Sequence, residues 1–112
     1  MVGELDSTET LKEETMAKGY WISNYRKIND KDKWGAYAKL AGPAIAKLGG
    51  KFIVRGMPAA VHERGLNERV VIVEWESVEK AKAAHDGPEY GEALRVLGDA
   101  VERDFRIVEG AS

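Results

Sequence analysis

Few side chains in this sequence exchange protons near neutral pH or bind metals as imidazole or thiolate, and they are scattered along it. There are two histidines, His62 and His85, and no cysteine. His62-Glu63 begins like the His-Glu-x-x-His zinc motif, but Leu66 stands where the second histidine belongs. No metal is expected; two histidines with a carboxylate form the minor alternative. His85 precedes Asp86-Gly87-Pro88, which breaks a helical pattern. An imidazole, with an ordinary pKa near ~6.5, exchanges protons at neutrality, which makes His85 the candidate catalytic acid or base. The competing role is a helix-terminal histidine facing the negative end of the dipole.

Arg55 ends an apolar run and is followed by Gly56. A guanidinium there can clamp a carboxylate or phosphate, or pair with an acid across strands or subunits. Asn24, Trp75 and Tyr90 complete the candidate ligand-binding set: an amide on a strand, and two rings for a wall, one with a hydroxyl that needs a partner. Glu74 alternates with apolar neighbours and needs a partner unless it reaches solvent. No Gly-rich phosphate loop, Walker sequence or dinucleotide fingerprint is present, and no cofactor is expected.

These residues must be positioned by a short series of elements. Gly19 to Arg26 reads as a strand, with Tyr20, Ile22 and Asn24 on one face and Trp21, Ser23 and Tyr25 on the other. Asp30 or Asp32 caps a helix carrying Trp34, Tyr37, Ala38, Ala41, Ile45 and Leu48 at helical spacing. Pro43 is expected to interrupt it, and Gly49-Gly50 to end it. Lys51 to Arg55 is the second strand, with Phe52 and Val54 on one side; Glu68 to Trp75 is the third, mostly apolar on both faces. Ser77 caps a helix with Val78, Ala81 and Ala84, and Pro88 starts another with Tyr90, Ala93, Leu94 and Leu97. Asp104 to Glu109 closes the series as a strand.

The order is β-α-β-β-α-β, an α+β ferredoxin-like fold: a four-stranded antiparallel sheet with its helices on one face. One sheet face is then left open, yet the first and third strands are apolar on both sides. A second copy of the sheet is the simplest cover, so a homodimer is expected.

Composition narrows the partners. The chain has 112 residues, 44% of them hydrophobic, which is one domain with a modest core. Seventeen bases against 19 acids give a net charge of −2. Residues 1–15 hold five of those acids and one base and read as a polar tail ahead of a domain over 16–110, with 111–112 as the end. Met16-Ala17-Lys18 has the look of a natural start. The remainder is nearly balanced, which argues against nucleic acid as a partner. No run approaches the ~20 apolar residues of a membrane span, and the acidic start is unlike a signal peptide. With no cysteine to oxidise, a cytoplasmic location is expected.

Several stretches carry a resemblance: Met16-Ala17-Lys18-Gly19-Tyr20-Trp21-Ile22, Leu48-Gly49-Gly50-Lys51-Phe52-Ile53-Val54-Arg55-Gly56, Arg69 to Trp75, Gly87-Pro88-Glu89-Tyr90 and Val108-Glu109-Gly110. Over residues 16–110 the chain resembles the domain-of-unknown-function family thirteen-thirty, of the dimeric α/β barrel superfamily. The resemblance implies the fold and the dimer and supplies no reaction. Superfamily relatives include small antibiotic-biosynthesis monooxygenases, haem-degrading enzymes, muconolactone isomerases and stress-responsive barrels, with a cavity between sheet and helices. Asn24 matches the strand asparagine of the haem degraders. Leu94 or Arg95 stands where their haem-ligating histidine belongs, a departure from that chemistry. Two functions follow: a cofactor-independent oxygenase or isomerase acting on a small apolar or aromatic metabolite, or a non-catalytic small-ligand-binding or stress-associated dimer. In either, the ligand is expected between sheet and helices.

Overall fold

The computed structural model describes residues 17–111. The polar tail expected over 1–15 lies outside the described residues. The elements are β1 (Gly19–Ile28), α1 (Lys31–Lys47), β2 (Lys51–Gly56), β3 (Val70–Trp75), α2 (Val78–Asp86), α3 (Pro88–Leu97) and β4 (Val101–Glu109). The sheet is antiparallel, in the order β2-β3-β1-β4. This is the expected ferredoxin-like arrangement, with the second helical segment divided in two.

Local chemistry sets the boundaries. The Asp30 side chain accepts from the backbone N–H groups of Asp32 and Lys33 and so caps α1, and Ser77 caps α2 through the N–H of Lys80. Gly49, with φ at 99°, turns the chain out of α1. Gly50 then brings the backbone against the core: a Cβ there would lie 2.6 Å from Ile45 Cγ2 and 2.8 Å from the Trp75 ring. Pro88 opens α3 after the Gly87 junction.

Pro43 does not interrupt its helix, contrary to the sequence expectation. α1 runs unbroken through it. Pro43 is exposed, as is Lys39, whose carbonyl would have met the missing N–H, so water can satisfy that group.

The core lies between the sheet and the helices. Trp21, Trp75, Tyr90 and Val73 are its largest fully buried side chains. α2 approaches the sheet closely on its small residues Ala81 and Ala84. α1 behaves differently: its backbone packs along α3, and it stands away from the strands. Long aromatic side chains bridge that gap, Trp34 Nε1 donating to the Tyr25 hydroxyl at 3.2 Å.

The opposite sheet face carries Tyr20, Ile22, Val70 and Ile72, all half-buried, beside the more exposed Val54 and Val108. Glu74 is also there. Lys18 Nζ meets its carboxylate at 3.2 Å and the Tyr20 hydroxyl donates to it at 3.1 Å, which together hold the acid below the usual carboxylate range, the lysine foremost. The β2–β3 connection, residues 57–69, leaves Met57, Val61 and Leu66 exposed.

Candidate functional site

Strand pairing writes the helix-facing side of the sheet as rows, because residues directly opposite one another project to the same face. Phe52, Val73, Trp21 and Ile107 form one row, and Arg55, Val71, Ser23 and Phe105 the next. Beyond them Tyr25 stands opposite Arg103, and its N–H donates to the Arg69 carbonyl at 3.0 Å. Arg55 reaches this face through a β-bulge. Phe52 pairs with Val73 and Val54 with Ile72, so Ile53 is an extra residue, and Phe52 and Arg55 share a face. A regular strand would have put Phe52 with Val54, as the sequence alternation predicts; the bulge turns Val54 to the open face instead.

Above these rows, under α1, lies a cavity of about 80 Å³. By the usual measure of ~10–15 Å³ per water, that is room for several waters or a compact ligand. Trp34, Tyr37, Ala41 and Gly42 line it from α1, and Trp21, Ser23, Phe52 and Phe105 from the sheet. Tyr25, Arg55, Arg69 and Tyr90 complete its polar lining. A side chain on Gly42 would meet nothing within 4 Å.

Two polar features stand out. Ser23 is 3% exposed and its hydroxyl has no hydrogen-bond partner among the described residues, although it borders the cavity. A buried hydroxyl without a partner is costly, by about 1–3 kcal/mol, and is commonly a place where water or ligand belongs. The second feature is a tyrosine pair. The Tyr37 and Tyr90 hydroxyl oxygens are 2.6 Å apart. Arg103 Nη1 donates to Tyr37 at 3.3 Å and Nη2 to Tyr90 at 3.2 Å. One hydroxyl proton lies between the two oxygens; the other has no acceptor among the described residues. Burial, and then the neighbouring Tyr90 oxygen, pushes the Tyr37 phenol well above its ordinary value, against the opposing pull of Arg103. Tyr37 is therefore a neutral hydrogen-bond donor at any physiological pH. One of the two hydroxyls is thus left able to donate to a further acceptor, with the Arg103 cation beside the pair.

The structure brings two of the five sequence candidates, Arg55 and Tyr90, to this cavity. His85 stands behind its wall, its ring centroid 5.6 Å from that of Tyr90 and 5.3 Å from that of Phe105, with Nδ1 3.1 Å from the Asp86 carboxylate. Trp75 is buried one layer further in, against Trp21 at 4.8 Å. Asn24 is on the other face of the sheet, in a groove with the β2–β3 connection, where His62 also lies. Sequence reasoning missed Ser23, Tyr37, Arg69 and Arg103 as site residues. Arg103 escaped because β4 starts at Val101, three residues before its expected start. The alternation Val101, Arg103, Phe105, Ile107 was the available signal: an arginine in an otherwise apolar row.

Two arginines, Arg55 and Arg69, border the cavity, and a third, Arg103, stands beside the Tyr37–Tyr90 pair. Arg55 stacks over Phe52 at 4.4 Å, Arg69 over Trp34 at 5.5 Å, and Arg103 over Phe105 at 5.0 Å. None of them meets a carboxylate among the described residues.

Known proteins resemble the chain in fold. The RPA0582 protein of unknown function from Rhodopseudomonas palustris superposes with a TM-score of 0.69 at 17% identity, covering 96% of this chain and 93% of that one. SnoaB, a cofactor-independent oxygenase from Streptomyces nogalater, gives 0.59 at 10% identity, covering 86% and 95%. A dimeric ferredoxin-like protein of unknown function from Thermobifida fusca gives 0.53 at 17% identity, covering 83% and 91%. No curated protein matches the chain in sequence. One family profile does, over residues 18–111, under the description Domain of unknown function (DUF1330).

Proposed function

Since the chain belongs to the DUF1330 family, whose description assigns no reaction, we propose from its own site that it binds a small, flat, largely apolar molecule under α1 and transforms it without a cofactor, as an oxygenase or isomerase. The observation that carries this is the Tyr37–Tyr90 hydroxyl pair: one unpartnered proton at a cavity walled by rings, backed by the Arg103 cation. Such a donor stabilises an enolate or phenolate oxygen as it forms, the step that oxygenation and isomerisation of activated carbon acids share. Ser23 offers a second donor. His85 is the nearby group that can pass protons to solvent, positioned behind Tyr90. Native mass spectrometry of the purified protein tests the reading: a bound aromatic or enolic molecule is expected, and its turnover should fall about a hundredfold in Tyr37→Phe/Tyr90→Phe. Turnover unchanged in that variant would overturn the catalytic role of the pair.

The second reading is a non-catalytic ligand-binding dimer. It is favoured by one observation, that His85 does not border the cavity. In both readings the working unit is a homodimer with the open sheet faces packed together, supported by the Tyr20, Ile22, Val70 and Ile72 patch and by structural neighbours described as dimeric. Among the described residues no helix is long and apolar enough to cross a membrane. We place the protein in the cytoplasm, where a cysteine-free chain is at home.

A further inference from the structure

We infer that the ligand of this cavity is a carboxylate-bearing aromatic, its ring under α1 and its carboxylate held between Arg55 and Arg69. The inference rests on the binding role proposed above and names the chemical class. Both guanidiniums border the cavity, and neither meets an acid among the described residues. Arg55 lies opposite Val71, and Arg69 stands two residues before Val71, immediately ahead of β3, so both border the cavity at the end of the sheet where β3 begins. Each lies over a ring that also lines the cavity, Arg55 over Phe52 and Arg69 over Trp34. A guanidinium with no acid partner has its planar N–H fork available for a planar carboxylate.

Burial supplies the second, independent sign. Ser23 occupies the same sheet row as Arg55, separated from it only by Val71; it is 3% exposed, borders the cavity, and its hydroxyl has no partner among the described residues. A ligand that filled the cavity and reached the arginines would pass over Ser23 and give it an acceptor. The bulge at Ile53 also belongs here, because it is what brings Arg55 onto the cavity face alongside Phe52. The small volume limits the apolar part to about one ring.

The test uses the full chain and three probes: benzoate, its neutral analogue benzyl alcohol, and phenyl phosphate. Binding is read by chemical-shift changes at the indole N–H groups of Trp21 and Trp34, which line the cavity. Benzoate is expected to bind about tenfold tighter than benzyl alcohol, a preference that weakens with added salt. Arg55→Gln and Arg69→Gln should each erode it, and the double variant should bind the two alike. Arg55→Lys should keep only part of it, since charge remains and the fork is lost. Equal binding of benzoate and benzyl alcohol by the natural chain overturns the carboxylate assignment while leaving the binding role standing. So does tighter binding of phenyl phosphate, or a benzoate preference that survives both glutamine substitutions. If none of the three probes moves the indole signals, the binding role fails and the assignment with it.

Discussion

At the scale of single residues, the site is governed by groups whose hydrogen bonds are unequal in number to their partners. Tyr37 and Tyr90 share one proton and share Arg103, so removing either hydroxyl unbalances all three. Tyr37→Phe should cost about 1 kcal/mol at neutral pH, one net hydrogen bond. Its pH dependence has a definite sign. Burial raises the native phenol above its unfolded value, so the stabilisation is complete below pH ~10 and drains away above it, as the unfolded chain ionises and the native one does not. Tyr37→Phe lacks that phenol. Its deficit relative to the natural chain should therefore shrink above pH ~10, measurable as converging urea midpoints between neutral and alkaline pH. A constant gap would show that Tyr37 ionises alike in both states.

At the scale of elements, the sequence was legible wherever the backbone followed a regular period. Trp21, Ser23 and Tyr25 lie on the inner face of β1 as alternation requires, and Ala81, Ala84, Tyr90, Ala93 and Leu97 on the inner helix faces. It was illegible where one residue broke the count. Ile53 adds a residue to β2, and no side-chain pattern in Lys51 to Arg55 announces it, since Phe52, Ile53 and Val54 are all strand-favouring. The face of Arg55 therefore had to be seen. Likeness to other proteins favours Asn24 for the pocket, whereas its own alternation with Trp21 and Tyr25 sets it on the opposite face. Pro43 was overweighted because a proline's cost in a helix depends on whether the freed carbonyl can find water, which the sequence does not state. The Gly49-Gly50 stop, by contrast, does two jobs. Gly50→Ala would press a methyl into Ile45 and Trp75 and should destabilise the fold by about 1–3 kcal/mol, read as a lowered thermal midpoint.

At the scale of the whole molecule, the unanswered surface is the open sheet face. Ile22 and Ile72 are opposite each other at its centre, with Val54 opposite Ile72 on the adjoining strand. Light scattering should give twice the chain mass of 12.4 kDa, and Ile72→Glu should give the single mass while the spectrum of the folded chain persists. A natural chain that scatters as a monomer at micromolar concentration would remove the reason for those apolar side chains. The helical layer above the cavity tells a different story. α2 rests on the sheet through alanines, whereas α1 is held off by Trp34 and Tyr37 and leans on α3. With its backbone packed on α3 and only its side chains reaching the sheet, α1 is expected to open at lower cost than α2. In amide hydrogen exchange α1 should lose its protons before α2 does, and a ligand could enter by that same partial opening without any permanent channel.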